Sequence, residues 1–319
     1  MKGITTFSIL LFFLLGVFTK VETVRDPVTS EVDLGKQLFF DNILSLDSTI
    51  SCASCHQPQF AFADTLAFSK GVGDSLGIRN TPSVMNMAFR PHFFYDGRAA
   101  TLEEQAIGPI ENPLEMHLDF KWAVQRIQEH EFYLSAFDSI YSSPPDSALI
   151  LQALAEFIRS LESDGSAPHD LWLNEIDSTA MSASQIRGRT LFREKAKCFD
   201  CHFSPDFTGD EFRNTGLFDG SPELNDSGRF QITKDSTDLG KFKVPGLRNV
   251  ALTPPYMHNG QFKTLEAVVE FYDDPYQVVA HPINMDSLML EPLGLSIVEK
   301  QDLVNFLHSL TDTSFSFEE

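Results

Sequence analysis

Cysteine is scarce in this chain of 319 residues, and every cysteine belongs to one of two short motifs. The four cysteines are Cys52, Cys55, Cys198 and Cys201. Each pair is spaced Cys-x-x-Cys and is followed at once by a histidine, His56 or His202. This pattern is typical of covalent haem c attachment, in which two thiols bond to the haem and the histidine is the proximal iron ligand. No cysteine is left over for a disulfide framework or a free catalytic thiol.

Two other uses of these side chains are weighed against haem. Four cysteines and two histidines could make a zinc site, but a histidine directly after the second cysteine is poorly placed to join the same tetrahedron. A Cys-x-x-Cys dithiol couple is expected near a βαβ pattern, and neither motif has one. We therefore predict two haem c groups, held by residues 52–56 and 198–202.

Basic residues and strand-like patterns are also in short supply. Lys and Arg number 24 against 45 Asp and Glu, which gives a formal charge of −21 and disfavours nucleic acid as a partner. Such a surface would attract a small, positively charged electron carrier, unless the acidity serves only solubility. Because alternation of apolar and polar residues is rare, we predict a mainly α-helical fold.

Long apolar runs are absent except at the N-terminus. Lys2 precedes a nearly unbroken apolar run at residues 7–18, which is too short to span a bilayer comfortably. Residues 1–22 are therefore predicted to be a secretory signal peptide, with a periplasmic protein and no membrane span after cleavage. An uncleaved anchor is the alternative.

An internal repeat predicts two cytochrome c-like domains, each carrying one covalently attached haem. Residues 35–39 match residues 188–192, and each set lies in a predicted helix that leads into a haem motif. Downstream, Arg79 and Asn80 are matched with Arg248 and Asn249. A predicted helix at residues 148–161 ends the first unit, and we place the boundary at residue 165. The domains are then 23–165 and 166–319, and residues 223–238 are predicted to be a surface loop.

The repeat also predicts one distal helix for each haem. Thr101 and Thr264 each stand four residues after a glycine. Thr101 with Glu104 forms a capping-box pattern, so a helix is expected to begin there, and Thr264 can cap the matching helix.

The two predicted distal helices differ where an iron ligand would stand. Pro109 and Tyr272 each lie eight residues after the threonine. Proline cannot bind iron, whereas a tyrosine phenolate can. The repeat thus predicts an open iron at the first haem and Tyr272 as the sixth ligand of the second. The alternative is that Tyr272 is a core aromatic. The competing ligands are Met257 and, more weakly, Met285, Met289 and His281.

Two polar side chains are candidates for peroxide chemistry at the first haem. Gln105 lies one turn into the distal helix, and Glu115 follows a break at Asn112. A carboxylate whose pKa is raised by burial can move a proton between the two oxygens of peroxide. The alternative is that both residues belong to an exposed helix face.

On these motifs the chain resembles the bacterial dihaem cytochrome c peroxidases and their relative MauG. The matching segments follow the family's order over nearly the whole mature chain. They are residues 34–40, 52–56, 79–82, 95–99, 104–105, 108–109, 115–116, 198–202, 245–250, 253–260 and 264–272. The resemblance implies a peroxidatic haem on His56, in domain 23–165, and an electron-transfer haem on His202, in domain 166–319.

The resemblance also implies roles for single residues. Glu115 matches the distal acid–base carboxylate and Gln105 the distal glutamine. A calcium ion between the domains would be held by the Asn80 side chain and the main-chain carbonyls of Thr253 and Pro255, which are hard oxygen ligands that suit calcium.

Three departures from the typical family pattern bear on function. Tyr272 stands where typical peroxidases of the family carry a methionine ligand. MauG also has a tyrosine at this position. Val72 matches the position of a blocking histidine, which implies a first haem that is five-coordinate without reductive activation. Tyr95 replaces the tryptophan usually found between the haems, and a tyrosine couples electron transfer to proton loss.

The resemblance implies an exported enzyme that reduces hydrogen peroxide at the first haem. Electrons would arrive through the second haem from a cytochrome c or a similar carrier. The first alternative is a MauG-like oxidase that acts on another protein or an organic donor. A second alternative is a non-catalytic electron-transfer cytochrome with two six-coordinate haems.

Overall fold

The computed structural model describes residues 26–313, so the predicted signal peptide lies outside the described residues. As predicted, the described chain is mainly helical, and its sheet has two short strands. Within this range no helix is long and apolar enough to cross a membrane. The α-helices are α1 (Glu31–Phe40), α2 (Cys52–Cys55), α3 (Leu102–Glu111), α4 (Phe120–Glu129), α5 (Glu131–Tyr141), α6 (Ser147–Ser160), α7 (Pro168–Leu173), α8 (Ala183–Arg193), α9 (Phe230–Thr233), α10 (Leu265–Asp273) and α11 (Ile297–His308).

Shorter elements join these helices. Strands β1 (Phe212–Arg213) and β2 (Phe242–Lys243) pair antiparallel. Single 3₁₀ turns lie at Asn42–Leu44, Pro58–Phe60, Val72–Asp74, Cys198–Asp200, Ser236–Asp238, Val250–Leu252, Pro275–Gln277 and Ser287–Met289.

The first half packs around the crossing of α1 and α6. A Cβ at Gly35 would collide with the carbonyl oxygen of Ala153 and would lie 2.8 Å from the Cβ of Phe157. Only glycine allows the two helices to approach this closely. Next to the crossing, the rings of Phe39 and Phe157 lie 5.1 Å apart in the larger buried cluster.

The second half repeats this crossing with α8 and α11. A Cβ at Gly188 would collide with the carbonyl oxygen of Asp302 and would lie 2.8 Å from the Cβ of Phe306. The rings of Phe192 and Phe306 are again 5.1 Å apart. The equal geometry confirms the predicted match of residues 35–39 with residues 188–192.

The two crossings belong to separate buried clusters. The cluster around α1 and α6 extends to Leu161, and the cluster around α8 and α11 begins at Met181. The boundary at residue 165 falls between these clusters and stays a prediction.

Between the haem motifs and the distal helices, the two halves share a register in which Asn86 corresponds to Asn249. Both asparagines have a left-handed backbone conformation, with φ of 59° and 60°. Their N–H groups donate to the carbonyls of Leu161, at 2.7 Å, and Leu310, at 3.0 Å. Their side-chain oxygens accept from the backbone N–H groups of Ser163, at 2.8 Å, and Asp312, at 2.9 Å.

The predicted match of Asn80 with Asn249 is therefore wrong. The two Arg-Asn dipeptides share composition but not spacing, because Asn80 stands six residues before the structural counterpart of Asn249. The corrected register pairs Pro82 with Pro245, and it continues unchanged through the threonines that begin α3 and α10.

The threonines cap the distal helices as predicted. The Thr101 hydroxyl accepts from the Glu104 N–H at 3.1 Å, and the Thr264 hydroxyl accepts from the Ala267 N–H at 3.2 Å. The Glu104 carboxylate, however, accepts from the Ala100 N–H at 2.8 Å. The reciprocal bond of the predicted capping box is thus shifted by one residue.

The segment at residues 223–238 is more than the predicted surface loop. Asp226 forms an ion pair with Arg79 at 2.6 Å, and the Arg229 guanidinium donates to the carbonyls of Asp96, at 2.8 Å, and Gly97, at 2.9 Å. The polar composition of the segment predicted that it faces solvent, but these charged groups bind partners in the first half. The segment therefore ties the two halves together.

Candidate active site

A single cavity of about 810 Å³ spans both halves and brings the predicted site residues together. It is lined by both haem motifs and by Tyr95, Gln105, Pro109, Glu115 and Tyr272. The cavity also contacts Asn80, Thr253 and Pro255, the predicted calcium ligands.

The proximal histidines are held in the same way in both halves. Nδ1 of His56 bonds the Phe62 carbonyl at 3.0 Å, and Nδ1 of His202 bonds the Phe207 carbonyl at 2.9 Å. A carbonyl can only accept, so each Nδ1 carries the proton and leaves Nε2 with a lone pair. A second-shell bond of this kind orients a metal-binding imidazole. Both rings therefore fit the role of proximal haem ligand.

The cysteines of both motifs line the cavity and form no disulfide with each other, as thioether attachment requires. A zinc site would need a group of three or more His, Cys, Asp or Glu side chains at metal-binding distance. No such group exists within residues 26–313.

Tyr272 lies on α10 at the position that Pro109 takes on α3, and both residues face the cavity. Burial raises the pKa of the Tyr272 phenol, and the nearby thiols of Cys198 and Cys201 raise it further. The phenol is therefore close to the second haem motif and is neutral unless a cation lies beside it.

The competing ligands for the second haem are placed differently. Met257 and Met289 also line the cavity, whereas Met285 and His281 do not. The Met285 thioether lies instead next to Gly216.

Glu115 is held on the cavity wall by a neighbouring amide. Asn112 Nδ2 donates to Glu115 Oε1 at 2.6 Å, and Asn112 Oδ1 accepts from the Leu114 N–H at 3.0 Å. Burial raises the pKa of Glu115, while Asn112 and the Arg98 guanidinium oppose this shift. The exposed-face alternative is thus wrong for Glu115, because the carboxyl lines the cavity in an environment that favours its protonated form.

The loop around Val72 packs behind Glu115. The Val72 N–H donates to the Glu115 carbonyl at 2.9 Å, and the Ser75 hydroxyl donates to the Leu114 carbonyl at 3.1 Å. Lys70 and Gly71 line the cavity, but Val72 does not. This loop therefore supports the main chain of Glu115.

Tyr95 belongs to an aromatic group between the halves, together with Phe242 and His258, which the sequence did not indicate. Phe242 of β2 stacks on His258, and Tyr95 meets Phe242 edge-on with ring centroids 6.4 Å apart. Burial raises the pKa of the Tyr95 phenol, which Arg79 opposes, and lowers the pKa of His258 to about 4. Tyr95 and His258 occupy equivalent positions of the repeat, and this equivalence was the sequence feature that could have indicated their pairing. Phe242 itself had no such signal.

The predicted calcium ligands offer oxygens of the right chemistry. Asn80 Nδ2 donates to the Leu66 carbonyl at 3.1 Å, which leaves Oδ1 available. Among residues 26–313, no donor is found for this oxygen or for the carbonyl oxygens of Thr253 and Pro255. One amide oxygen and two carbonyls suit a hard cation.

Two equivalent proximal sites on a mainly helical, duplicated chain define the class as that of dihaem c-type proteins. The family model described as "Di-haem cytochrome c peroxidase" matches residues 29–178. The chain is 39% identical to "Methylamine utilization protein MauG" of Methylorubrum extorquens, over 89% of this chain and 79% of that protein. It is 38% identical to "Cytochrome c peroxidase Ccp" of Escherichia coli, over 88% of this chain and 58% of that protein.

Structural comparison agrees with these matches. A solved structure described as a MauG-like protein associated with microbial copper homeostasis has a TM-score of 0.82 and 31% identity, and the match covers 91% of each chain. The chain belongs to the dihaem cytochrome c peroxidase and MauG family, and it is an oxidoreductase of that type.

Proposed function

We propose that this chain is an exported dihaem peroxidase that reduces hydrogen peroxide at a haem held by Cys52, Cys55 and His56. A second haem, held by Cys198, Cys201 and His202, would pass electrons to the first. The observation that carries the proposal is the contrast between Pro109 and Tyr272. The proximal sides of the two sites are alike, but only the second offers a distal ligand at this position.

The residues of the first site suit proton transfer to peroxide. Bound haem would supply the iron redox chemistry for cleaving the O–O bond of peroxide. The Glu115 carboxylate would accept the proton of the near oxygen and return it to the departing one. Asn112 fixes one carboxylate oxygen of Glu115. Burial raises the pKa of Glu115, which helps the group both to accept the proton and to return it. Gln105, on the same cavity wall, would orient the peroxide.

The residues between the sites suit electron transfer from the second haem to the first. Tyr95, Phe242 and His258 form a continuous aromatic contact between the halves. The donor would be a cytochrome c or a similar small carrier, attracted by the acidic surface. Export would follow from the signal peptide at residues 1–22, which places the protein in the periplasm. A calcium ion on Asn80, Thr253 and Pro255 would join the two domains.

The second candidate function is a MauG-like oxidation of another protein or an organic donor. Tyr272 favours it, because an anionic phenolate stabilises the more highly charged, oxidised iron. Such a second haem would be a poor acceptor of electrons from an ordinary cytochrome c. Tyr95 disfavours this second function. Loss of an electron from its buried phenol requires loss of the phenol proton, which hinders fast charge sharing between the haems.

One experiment separates these functions. Hydrogen peroxide is added to the fully ferric dihaem protein, and reduced cytochrome c is then mixed in by stopped flow. Rapid oxidation of cytochrome c with repeated turnover supports the peroxidase. A long-lived oxidised spectrum that ignores cytochrome c supports the MauG-like function. Two low-spin haems that do not react with peroxide would leave only an electron-transfer cytochrome.

A further inference from the structure

Two reciprocal hydrogen bonds join the halves of the repeat. The Asn80 N–H donates to the His258 carbonyl at 2.7 Å, and the Lys243 N–H donates to the Tyr95 carbonyl at 2.7 Å. In the register that pairs Pro82 with Pro245, Asn80 corresponds to Lys243 and His258 corresponds to Tyr95. The two junctions are therefore copies of each other, related by an approximate twofold axis.

The same register carries over to the proposed calcium ligands. Thr253 corresponds to Arg90, and each N–H donates to the carbonyl three residues before it at 3.3 Å. Pro255 corresponds to His92. The first junction thus presents the Asn80 side chain with the Thr253 and Pro255 carbonyls, and the second presents Lys243 with the carbonyls of the corresponding residues.

Lys243 fills its own junction. Its ammonium donates to the His92 carbonyl at 3.0 Å, which is the counterpart of the Pro255 carbonyl. Among residues 26–313, the oxygens of the first junction have no donor. The second junction contains the positive charge of Lys243. The side chain lines the same cavity as the haem motifs.

One acidic side chain close to Lys243, Asp210, favours a cation at this position. Arg90 forms ion pairs with both Asp206, at 2.6 Å, and Asp210, at 2.9 Å. The Asp210 Oδ1 atom is buried and has no hydrogen-bond partner within residues 26–313. Burial lowers the pKa of Lys243 to about 8, with Arg90 acting in the same direction and Asp210 opposing it. Asp210 thus favours the charged form of the amine.

We propose that the Lys243 ammonium is a built-in cation that takes, in the second junction, the place a divalent ion takes on Asn80 in the first. One junction would be closed by calcium from solution and the other by a tethered charge. This inference rests on the calcium site of the proposed function, and the variants below separate the two.

The test exchanges the two kinds of junction in the intact dihaem protein. Lys243→Asn places an amide oxygen where Asn80 has one, beside the freed His92 carbonyl and Asp210. Lys243→Met removes the charge without adding a ligand. Lys241→Met is the matched control, because Lys241 lies just before β2 and its ion pair within residues 26–313 is with Asp238, at 3.2 Å. Calcium stoichiometry is measured by titration calorimetry after removal of bound metal with EGTA, and the melting temperature is followed with and without calcium.

We expect one calcium ion for wild type, for Lys243→Met and for Lys241→Met, and two for Lys243→Asn. Lys243→Met should melt about 2–4 °C or more below Lys241→Met, and calcium should not close that gap. For Lys243→Asn, calcium should close it. If Lys243→Asn gains no calcium ion, or if Lys243→Met melts like Lys241→Met, the inference is overturned. If wild type binds none but Lys243→Asn binds one, the calcium site at Asn80 is wrong and the role of Lys243 stands.

Discussion

The Phe242 ring stacks on the His258 imidazole with ring centroids 3.8 Å apart and planes inclined by only 13°. Tyr95, the counterpart of His258 in the first half, meets the same phenylalanine edge-on at 86°. Phe242 therefore sits between equivalent residues of the two halves. The Arg79 guanidinium lies 5.6 Å from the centre of the Phe242 ring and adds a charge to this contact. An electron that crosses between the halves would pass along this aromatic contact.

Phe242→Leu should slow electron transfer between the haems several-fold, because it removes the aromatic ring that links Tyr95 to His258. The rate is measured by reducing the second haem in a laser flash and following the spectrum of the first. Phe212→Leu is the control, since Phe212 is an aromatic residue of the paired strand β1 and contacts His92 rather than His258. Equal rates in the two variants would show that electrons take another route.

Tyr272→Phe should change the ligand state of the second haem and raise its reduction potential. The phenyl ring keeps the packing but cannot supply an anionic oxygen. Electron paramagnetic resonance and spectroelectrochemistry measure both effects. Tyr256→Phe is the control, because Tyr256 lines the same cavity but donates its hydroxyl to the Val250 carbonyl at 3.1 Å. A spectrum that is unchanged in Tyr272→Phe would exclude the tyrosine as an iron ligand.

Glu115→Gln should slow peroxide cleavage by about 10²–10⁴, the usual contribution of a positioned acid–base group. Burial raises the pKa of Glu115 above its ordinary value of 4.5. Because the base acts in its ionised form, the wild-type rate should fall as the pH drops through that raised pKa. The glutamine variant should lose this dependence. Stopped-flow rates across the pH range measure both effects.

Glu111→Gln serves as the control for this prediction. Glu111 ends α3 and is exposed, and its carboxylate accepts from the Phe120 N–H at 3.3 Å. A loss of rate as large as that of Glu115→Gln would point to a general effect on the fold. A wild-type pH profile that persists in Glu115→Gln would assign the proton transfer to another group.

Gly35→Ala and Gly188→Ala should each lower the free energy of unfolding by about 1–3 kcal/mol, the range for overpacking a tight contact. In each case the added methyl group collides with a carbonyl oxygen of the crossing helix. Gly77→Ala is the control, because its nearest neighbour would lie 3.7 Å from the new Cβ. Denaturant titration measures all three. Destabilisation confined to one of the helix crossings would show that the two are not equivalent in energy.

Much of the site was predictable because its signals are local. The haem motifs, the helices that precede them and the threonine caps depend on residues close together in sequence. The contrast between Pro109 and Tyr272 followed from counting along two matched helices. Arg79 and Asn80 are an exception, because the dipeptide that they share with residues 248–249 stands at a different spacing from the next glycine.

The sequence by itself determined the two haem-attachment motifs, the duplication and the contrast between Pro109 and Tyr272 on the two matched helices. These features depend on residue identity and spacing along a single segment. Only the tertiary structure decided what joins the halves: Phe242 between Tyr95 and His258, Asp226 on Arg79, and Lys243 against the His92 carbonyl. Partners such as Lys243 and His92 are far apart in sequence. Their pairing is set by how the two helix crossings pack together, and no local pattern records that packing.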